Sequence, residues 1–379
     1  MRVVVLNAGS ATVKAGLVDV DTRRAKVLGR GSGEVAADAE RAEAFRAALA
    51  ESGALEDSAA GNHGVGAVGH RVVHGGRTYT EPVRIDAGVE SAIEALVKLA
   101  PQHNPPALEG IRLARELFPD APAVAVFDTA FHAGRAPESL HYALPVDLAE
   151  SFGFFRYGFH GIAHTSLVES LAALEGLSIR EVNAVTLQLG AGCSACAVAE
   201  GRSIETSMGY SPLEGLVMAT RSGDVDPAVV LELLDRGRSA AEIRDLLTGR
   251  SGLAGLAGDA DLRKVLQAEA AGEERARLAV ALFVRRIVST VGAYLTLLDG
   301  QGSLVFGGGI GTHSAEIRAR VVAGLGAWNL TLDRGRNEAH RRGRISAPGS
   351  RPIYVFDTDE ERVIARNVHD LLVRSDGSD

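Results

Sequence analysis

Residues 4–18, VVLNAGSATVKAGLV, and residues 185–199, VTLQLGAGCSACAVA, decide the fold. Each opens on an apolar, β-branched run, breaks on a small-residue turn and resumes as an extended apolar run. In the first, Val3–Asn7 is the strand, Ala8-Gly9-Ser10 the break and Thr12–Val18 the return. In the second, Ala184–Leu189 is broken by Gly190-Ala191-Gly192 and resumes through Ala199. One β-unit occurring twice, about 180 residues apart, indicates an internal duplication and two related lobes.

Around these units, strands and helices alternate. Ala39–Ala50 reads as a helix with Asp38 as N-cap, and a Gly/Asn loop follows at Gly61–Gly64. Val65–Val73 is a strand ending in His74-Gly75-Gly76. Glu90–Leu99 and Ala107–Leu117 read as helices separated by the prolines of Pro101–Pro106. Ala123–Phe127 is a buried strand whose end delivers Asp128. After Ala133 the composition shifts to SFGFFRYGFHG, which marks a domain crossing. Helices are expected near Thr165–Leu174 and over Arg275–Leu298, and the strand Ser303–Phe306 ends in the glycine turn Gly307–Gly311, with a helix from Ser314. The strand Ile353–Phe356 leads to Thr358 and a last helix, Glu360–Leu372, expected to return to the first lobe. The reading is an α/β fold with residues 1–132 plus 363–379 in one lobe and 133–362 in the other.

At 379 residues the chain suits two domains, and 46% hydrophobic against 23% charged residues describe a globular protein. A net charge of −8 argues against nucleic acid as a partner. The one basic cluster, Arg334–Arg344, reads as a solvated turn. MRVVVLNAGS reads as a strand rather than a signal peptide. Ile287–Leu298, interrupted by Ser, Thr and Gly, is too short to cross a bilayer. The expectation is a cytoplasmic chain without a membrane partner. Cys193 and Cys196, spaced C-x-x-C, read as two small strand residues on opposite faces rather than a redox pair.

Three small-residue turns after strands, Ala8–Ser10, Gly190–Gly192 and Gly307–Gly311, can aim backbone N–H groups at phosphate oxygens. None matches the Walker or dinucleotide pattern. Phosphoryl transfer also needs cations against the moving group and a carboxylate for a metal. HRVVHGGR supplies Arg71, His74 and Arg77; FDTAFH supplies Asp128 and His132; YGFHGIAH supplies His160 and His164. ATRSGDVDP supplies Arg221, Asp224 and Asp226, and TDEER supplies Glu360 and Glu361. His160 and His164 stand four apart, a metal-binding spacing on a helix, but Gly158 and Gly161 argue against helix there.

LNAGSATVK, GHRVVHGG, LAPQHNPP, VFDTAFH, RYGFHGIAH, ETSMGYSPLEGLVMATRSGDVDP, FGGGIG and TDEERVIAR together resemble the acetate/propionate kinase family, in family order and over nearly the whole chain. The resemblance implies two ribonuclease-H-like lobes of the actin and sugar-kinase type, an interlobe ATP cleft and a homodimer. It implies Mg²⁺ (or Mn²⁺) held by Asn7 and Glu360, with Lys14, Ser10 and Thr12 near the ATP phosphates. Arg71, Arg221, Asp128 and His160 would act on the transferring phosphoryl and the carboxylate. Val73, His103, Phe159 and Pro212 would line the acetate pocket. Gln188, Leu189, Gly190, Ala191 and Gly192 would form the second phosphate loop. Asp261, Leu262, Arg263, Gly309, Ile310, Gly311, Thr312 and His313 would hold the adenosine.

The second loop departs from the family's H-L-G-N-G-[AS]-S, with Gln188 for the histidine and Ala191 for the asparagine. A lost hydrogen bond to a charged group costs about 1.5–3 kcal/mol, so weaker nucleotide use is expected. Gln102 replaces a usual Leu at the acceptor pocket, and Thr312-His313 a usual Glu-Asn. The expected activity is ATP-dependent phosphorylation of acetate to acetyl phosphate. The alternatives are a propionate or butyrate kinase, or a weakly active or non-catalytic nucleotide-binding relative.

Overall fold

The computed structural model describes residues 1–9, 12–22, 24–35, 40–55, 64–101, 103–339 and 342–376. Ser10, Asp38, Gln102 and most of the Gly61–Gly64 loop lie outside the described residues. The chain divides into two compact units, Met1–Ala133 with Asp359–Asp379, and Gly134–Thr358. The helix that opens at Glu360 therefore belongs whole to the first unit, instead of being divided at 362/363.

In the first unit, β1 (Arg2–Ala8), β2 (Thr12–Val20), β3 (Ala25–Glu34), β4 (Val65–Val72), β5 (Val83–Arg84) and β6 (Ala123–Phe127) form one sheet. Their order is β3-β2-β1-β4-β6-β5, with β4 parallel to both β1 and β6 and the other pairs antiparallel. Strand alternation sends Val4, Leu6 and Ala8 into a core shared with Ala44, Phe45, Ala48 and Leu49 of the helix Arg41–Glu51 and Leu113 and Ala114 of the helix Asn104–Leu117. The helix Glu360–Asp376 also packs on β1, β2 and β4.

In the second unit, β7 (Ala184–Leu189), β8 (Cys193–Ala199), β9 (Arg202–Thr206), β10 (Ser303–Gly307), β11 (Gly343–Arg344) and β12 (Ile353–Val355) are ordered β11-β12-β10-β7-β8-β9. Read from the other edge, this is the order of the first sheet, with the same parallel and antiparallel pairs. The twin β-units seen in the sequence are thus β1–β2 and β7–β8.

Helix boundaries differ from the sequence expectations at several places. Asn104–Leu117 begins with Pro105 and Pro106 in its first turn, where a missing N–H removes no helical bond. Gly161–Glu175 begins at a glycine expected to disfavour helix, because His160 turns the chain at the N-cap in the left-handed region, φ 59°. Gly308–His313 is helical where a loop was expected. Gly308 has φ +74°, and a Cβ there would lie 2.4 Å from the Leu189 carbonyl oxygen, so glycine is required at that turn. The helix expected over Arg275–Leu298 is Glu274–Leu297; it runs 24 residues and its most apolar part has a mean hydropathy of 1.6, long and apolar enough by length and composition to span a bilayer, which corrects the shorter apolar stretch Ile287–Leu298 read from sequence. It packs instead on β7 and β8, burying Val280, Phe283, Ile287, Val291 and Leu295.

Candidate active site

The first unit gathers its polar residues where three parallel strands end. Asn7 is next to last in β1, Arg71 lies near the end of β4, and Asp128 follows β6. Arg71 donates from Nη1 to Asn7 Oδ1 at 3.0 Å and from Nη2 to Asp128 Oδ2 at 2.6 Å. Asn7 Nδ2 in turn donates to Glu360 Oε2 at 3.0 Å. Asp128 is 1% exposed. Burial works against the Arg71 charge, but Asp128 and Glu360 outweigh it and hold the guanidinium above its usual range. Arg71 Nε is buried with no hydrogen-bond partner among the described residues.

Burial pushes the Glu360 carboxyl up. Asp128 and Glu361 push the same way, while Arg71 and Lys14 oppose them. A divalent cation would relieve that crowding, and an amide oxygen with a half-buried carboxylate suits a hard, oxygen-preferring ion. The residues present fit the metal that the resemblance implies. Lys14 lies directly across from Asn7 in the β1–β2 register, and Thr12 opens β2, exposed.

Asn104, fully buried, joins two further candidates. It accepts from the His74 backbone N–H at 3.2 Å and donates to the His74 carbonyl at 3.3 Å. The segments carrying Val73 and His103 are thereby held side by side. Asn104 went unread in the sequence, where it stands between prolines and looks like a breaker.

In the second unit, His160 and His164 are joined by a hydroxyl, not a metal. His160 Nδ1 lies 2.9 Å from Ser194 Oγ, and His164 Nε2 lies 2.8 Å from the same oxygen. His164 Nδ1 continues to Thr186 Oγ1 at 2.8 Å. Among the described residues no three His, Cys, Asp or Glu groups cluster as a metal site. Thr186 carries no motif, and Ser194 reads in the sequence only as the last position of the second loop, not as a partner of the histidines.

Gly192 lies between His160 and Arg221. A Cβ built there would stand 3.3 Å from His160 Nε2 and 3.6 Å from Arg221 Nη1. Arg221 Nη1 also donates to the Pro212 carbonyl at 3.0 Å, and burial lowers its affinity for its proton, with Cys193 opposing. Phe159, beside His160, is buried. Leu189 is buried, Ala191 exposed and tied by its carbonyl to the Ala219 N–H at 3.1 Å, and Gly190 donates to the Gly192 carbonyl at 3.0 Å. Gln188 accepts from Thr358 Oγ1 at 2.8 Å.

The adenosine candidates fall into two groups. Asp261 caps the helix Leu262–Ala270 by accepting from the Arg263 backbone at 2.9 Å, and pairs with the Arg263 side chain at 2.6 Å, which holds its carboxyl down to about 2. Leu262 is buried and Arg263 exposed. Gly309, Ile310, Gly311, Thr312 and His313 lie in the short helix after β10, and Thr312 spends its hydroxyl on the Phe356 carbonyl at 3.1 Å. Cys193 and Cys196 are free and buried, with burial pushing each thiol up to about 12. In the basic stretch Arg334 pairs with Glu338 and Arg342 with Asp357.

The Acetokinase family profile matches residues 2–366. An acetate kinase of Leifsonia xyli subsp. xyli is 43% identical over 96% of this chain and 97% of its own. An acetate kinase of Streptomyces coelicolor is 42% identical over 100% and 98%. A propionate kinase structure from Francisella tularensis superposes with a TM-score of 0.88 at 35% identity, covering 97% and 98% of the two chains. The Porphyromonas gingivalis acetate kinase structure gives 0.87 at 33%, covering 98% and 99%. The two matching sheets and the polar clusters at their strand ends are those of a chain that belongs to the acetokinase family.

Proposed function

We propose that the chain transfers the γ-phosphoryl group of ATP reversibly to acetate, giving acetyl phosphate and ADP. The observation that carries this reading is the linked set Asp128–Arg71–Asn7–Glu360, a cation and an oxygen-rich pocket built together. Asn7 and Glu360 would hold Mg²⁺ (or Mn²⁺), which supplies charge neutralisation on phosphate oxygens. Asp128 fixes the Arg71 guanidinium, and Arg71 and Arg221 neutralise charge on the migrating phosphoryl. His160 donates a hydrogen bond to it. Acetate is already ionised, so no residue has to remove a proton from it. Val73, His103, Phe159 and Pro212 surround the methyl group.

Lys14, Ser10, Thr12 and residues 188–192 hold the ATP phosphates, and Asp261–Arg263 with Gly309–His313 hold the adenosine. The protein works as a cytoplasmic homodimer. Propionate is the second acceptor to consider, since a propionate kinase structure is a near neighbour at 35% identity; one methylene is worth only about 1–3 kcal/mol of discrimination.

Incubation with ATP, Mg²⁺, hydroxylamine and a panel of short carboxylates tests this reading. Acetyl hydroxamate should form, and acetate should give the highest kcat/KM. Absence of hydroxamate from every carboxylate, with folded protein, rejects it.

A further inference from the structure

Building on the proposed phosphoryl contact of His160, the geometry points to a directional hydrogen-bond chain, Thr186 to His164 to Ser194 to His160. We propose that this chain fixes the His160 proton on Nε2. The direction follows from counting hydrogens. Thr186 Oγ1 has one proton and two acceptors within reach: His164 Nδ1 at 2.8 Å and the Cys196 carbonyl at 3.5 Å. The carbonyl lies outside the range of an O–H···O bond, about 2.5–3.0 Å, so the hydroxyl donates to the ring nitrogen. His164 Nδ1 is then an acceptor, so its proton resides on Nε2 and is donated to Ser194 Oγ at 2.8 Å. Ser194 has a single proton left to give, and its second neighbour is His160 Nδ1 at 2.9 Å. His160 Nδ1 accepts it, and the imidazole N–H is left on Nε2.

That nitrogen is the one beside Gly192, where Arg221 Nη1 also approaches. A phosphoryl oxygen there needs donors. The chain supplies one from the neutral ring, without adding a second positive charge next to Arg221. Thr186, His164 and Ser194 are buried and fully enclosed by β7, β8 and the helix Gly161–Glu175, so water cannot substitute for a missing link. Ser194 and His164 are positioning residues, acting through His160.

Nitrogen-15 NMR of histidine-labelled free protein near neutral pH reads the tautomer directly, with the His160 signals identified by their loss in His160→Gln. The expected result is a proton on Nε2 of His160. Ser194→Ala should give a mixture of tautomers and lower kcat about tenfold, leaving the KM for ATP within about twofold. Ser194→Thr, which keeps the hydroxyl, should restore both. A wild-type ring protonated on Nδ1 or on both nitrogens overturns the proposal, and so does an unchanged tautomer in Ser194→Ala. If that variant fails to fold, the wild-type and Thr spectra decide. The spectrum is independent of turnover, so a silent hydroxamate assay would count against the proposed function while the tautomer is still determined.

Discussion

At the same register in the two sheets, the chain has put different chemistry. Asn7, Arg71 and Asp128 stand at the ends of β1, β4 and β6; the matching positions on β7, β10 and after β12 are Gln188, Gly307 and Thr358. In the first unit a guanidinium bridges the outer two residues, at 3.0 and 2.6 Å. In the second, glycine supplies no side chain, and Thr358 closes directly on Gln188 at 2.8 Å while accepting from the Gly308 N–H at 3.1 Å. A Cβ on Gly307 would stand 2.6 Å from Leu167 and 3.0 Å from Thr358 Oγ1, so no side chain fits between them. One scaffold therefore yields a charged, side-chain-built strand end and a neutral, backbone-built one. The first is a cluster of charges, the second a pair of neutral side chains braced on a backbone N–H.

The sharpest way to break the contrast is Arg71→Ala. It removes the charge, and it leaves Asp128 buried beside an empty space. Loss of an electrostatic contact to a transition state typically costs about 10²–10³ in rate. Hydroxamate formation should fall by at least that much while the far-ultraviolet circular dichroism stays native. A fall of less than about tenfold would mean that the charged strand end is not where phosphoryl charge is met.

A smaller effect is expected from making the neutral end more polar. Gln188→His with Ala191→Asn adds donors to the β7–β8 turn. The nucleotide KM should fall roughly tenfold, the equivalent of one hydrogen bond to a charged group. Unchanged KM for ATP and unchanged kcat would sink the idea that this turn limits nucleotide use.

The duplication was legible because strand–turn–strand runs leave a local signature, and Arg71 was legible because a charge inside an apolar strand is anomalous. Asp128 was equally plain at the end of a buried strand. The relation of Arg71 to Gly307 was not, since it depends on the pairing of β4 with β1 and of β10 with β7, which no local run encodes. Ser194 hid for a related reason: its neighbours His160 and His164 lie 34 and 30 residues away. The helix starts at Asn104 and Gly161 are hidden in the sequence because proline and glycine read there as breakers. In the structure they occupy first-turn positions, where an absent N–H or a small residue costs nothing.

The mildest change tests whether the neutral end is only a brace. Thr358→Val keeps the shape and removes the hydroxyl that links Gln188 to the Gly308 N–H. Two neutral hydrogen bonds are lost, each worth about 1 kcal/mol, and partial exposure lets water replace some of that. In a unit of this size, thermal unfolding should drop by about 2–4 °C per kcal/mol. Turnover should change less than about threefold, because the loop's own N–H groups remain. Calorimetry beside the hydroxamate assay separates the two readings. If Thr358→Val instead costs as much rate as Arg71→Ala with its melting temperature intact, Thr358 acts on the nucleotide itself, and the two strand ends are chemically closer than their residues suggest.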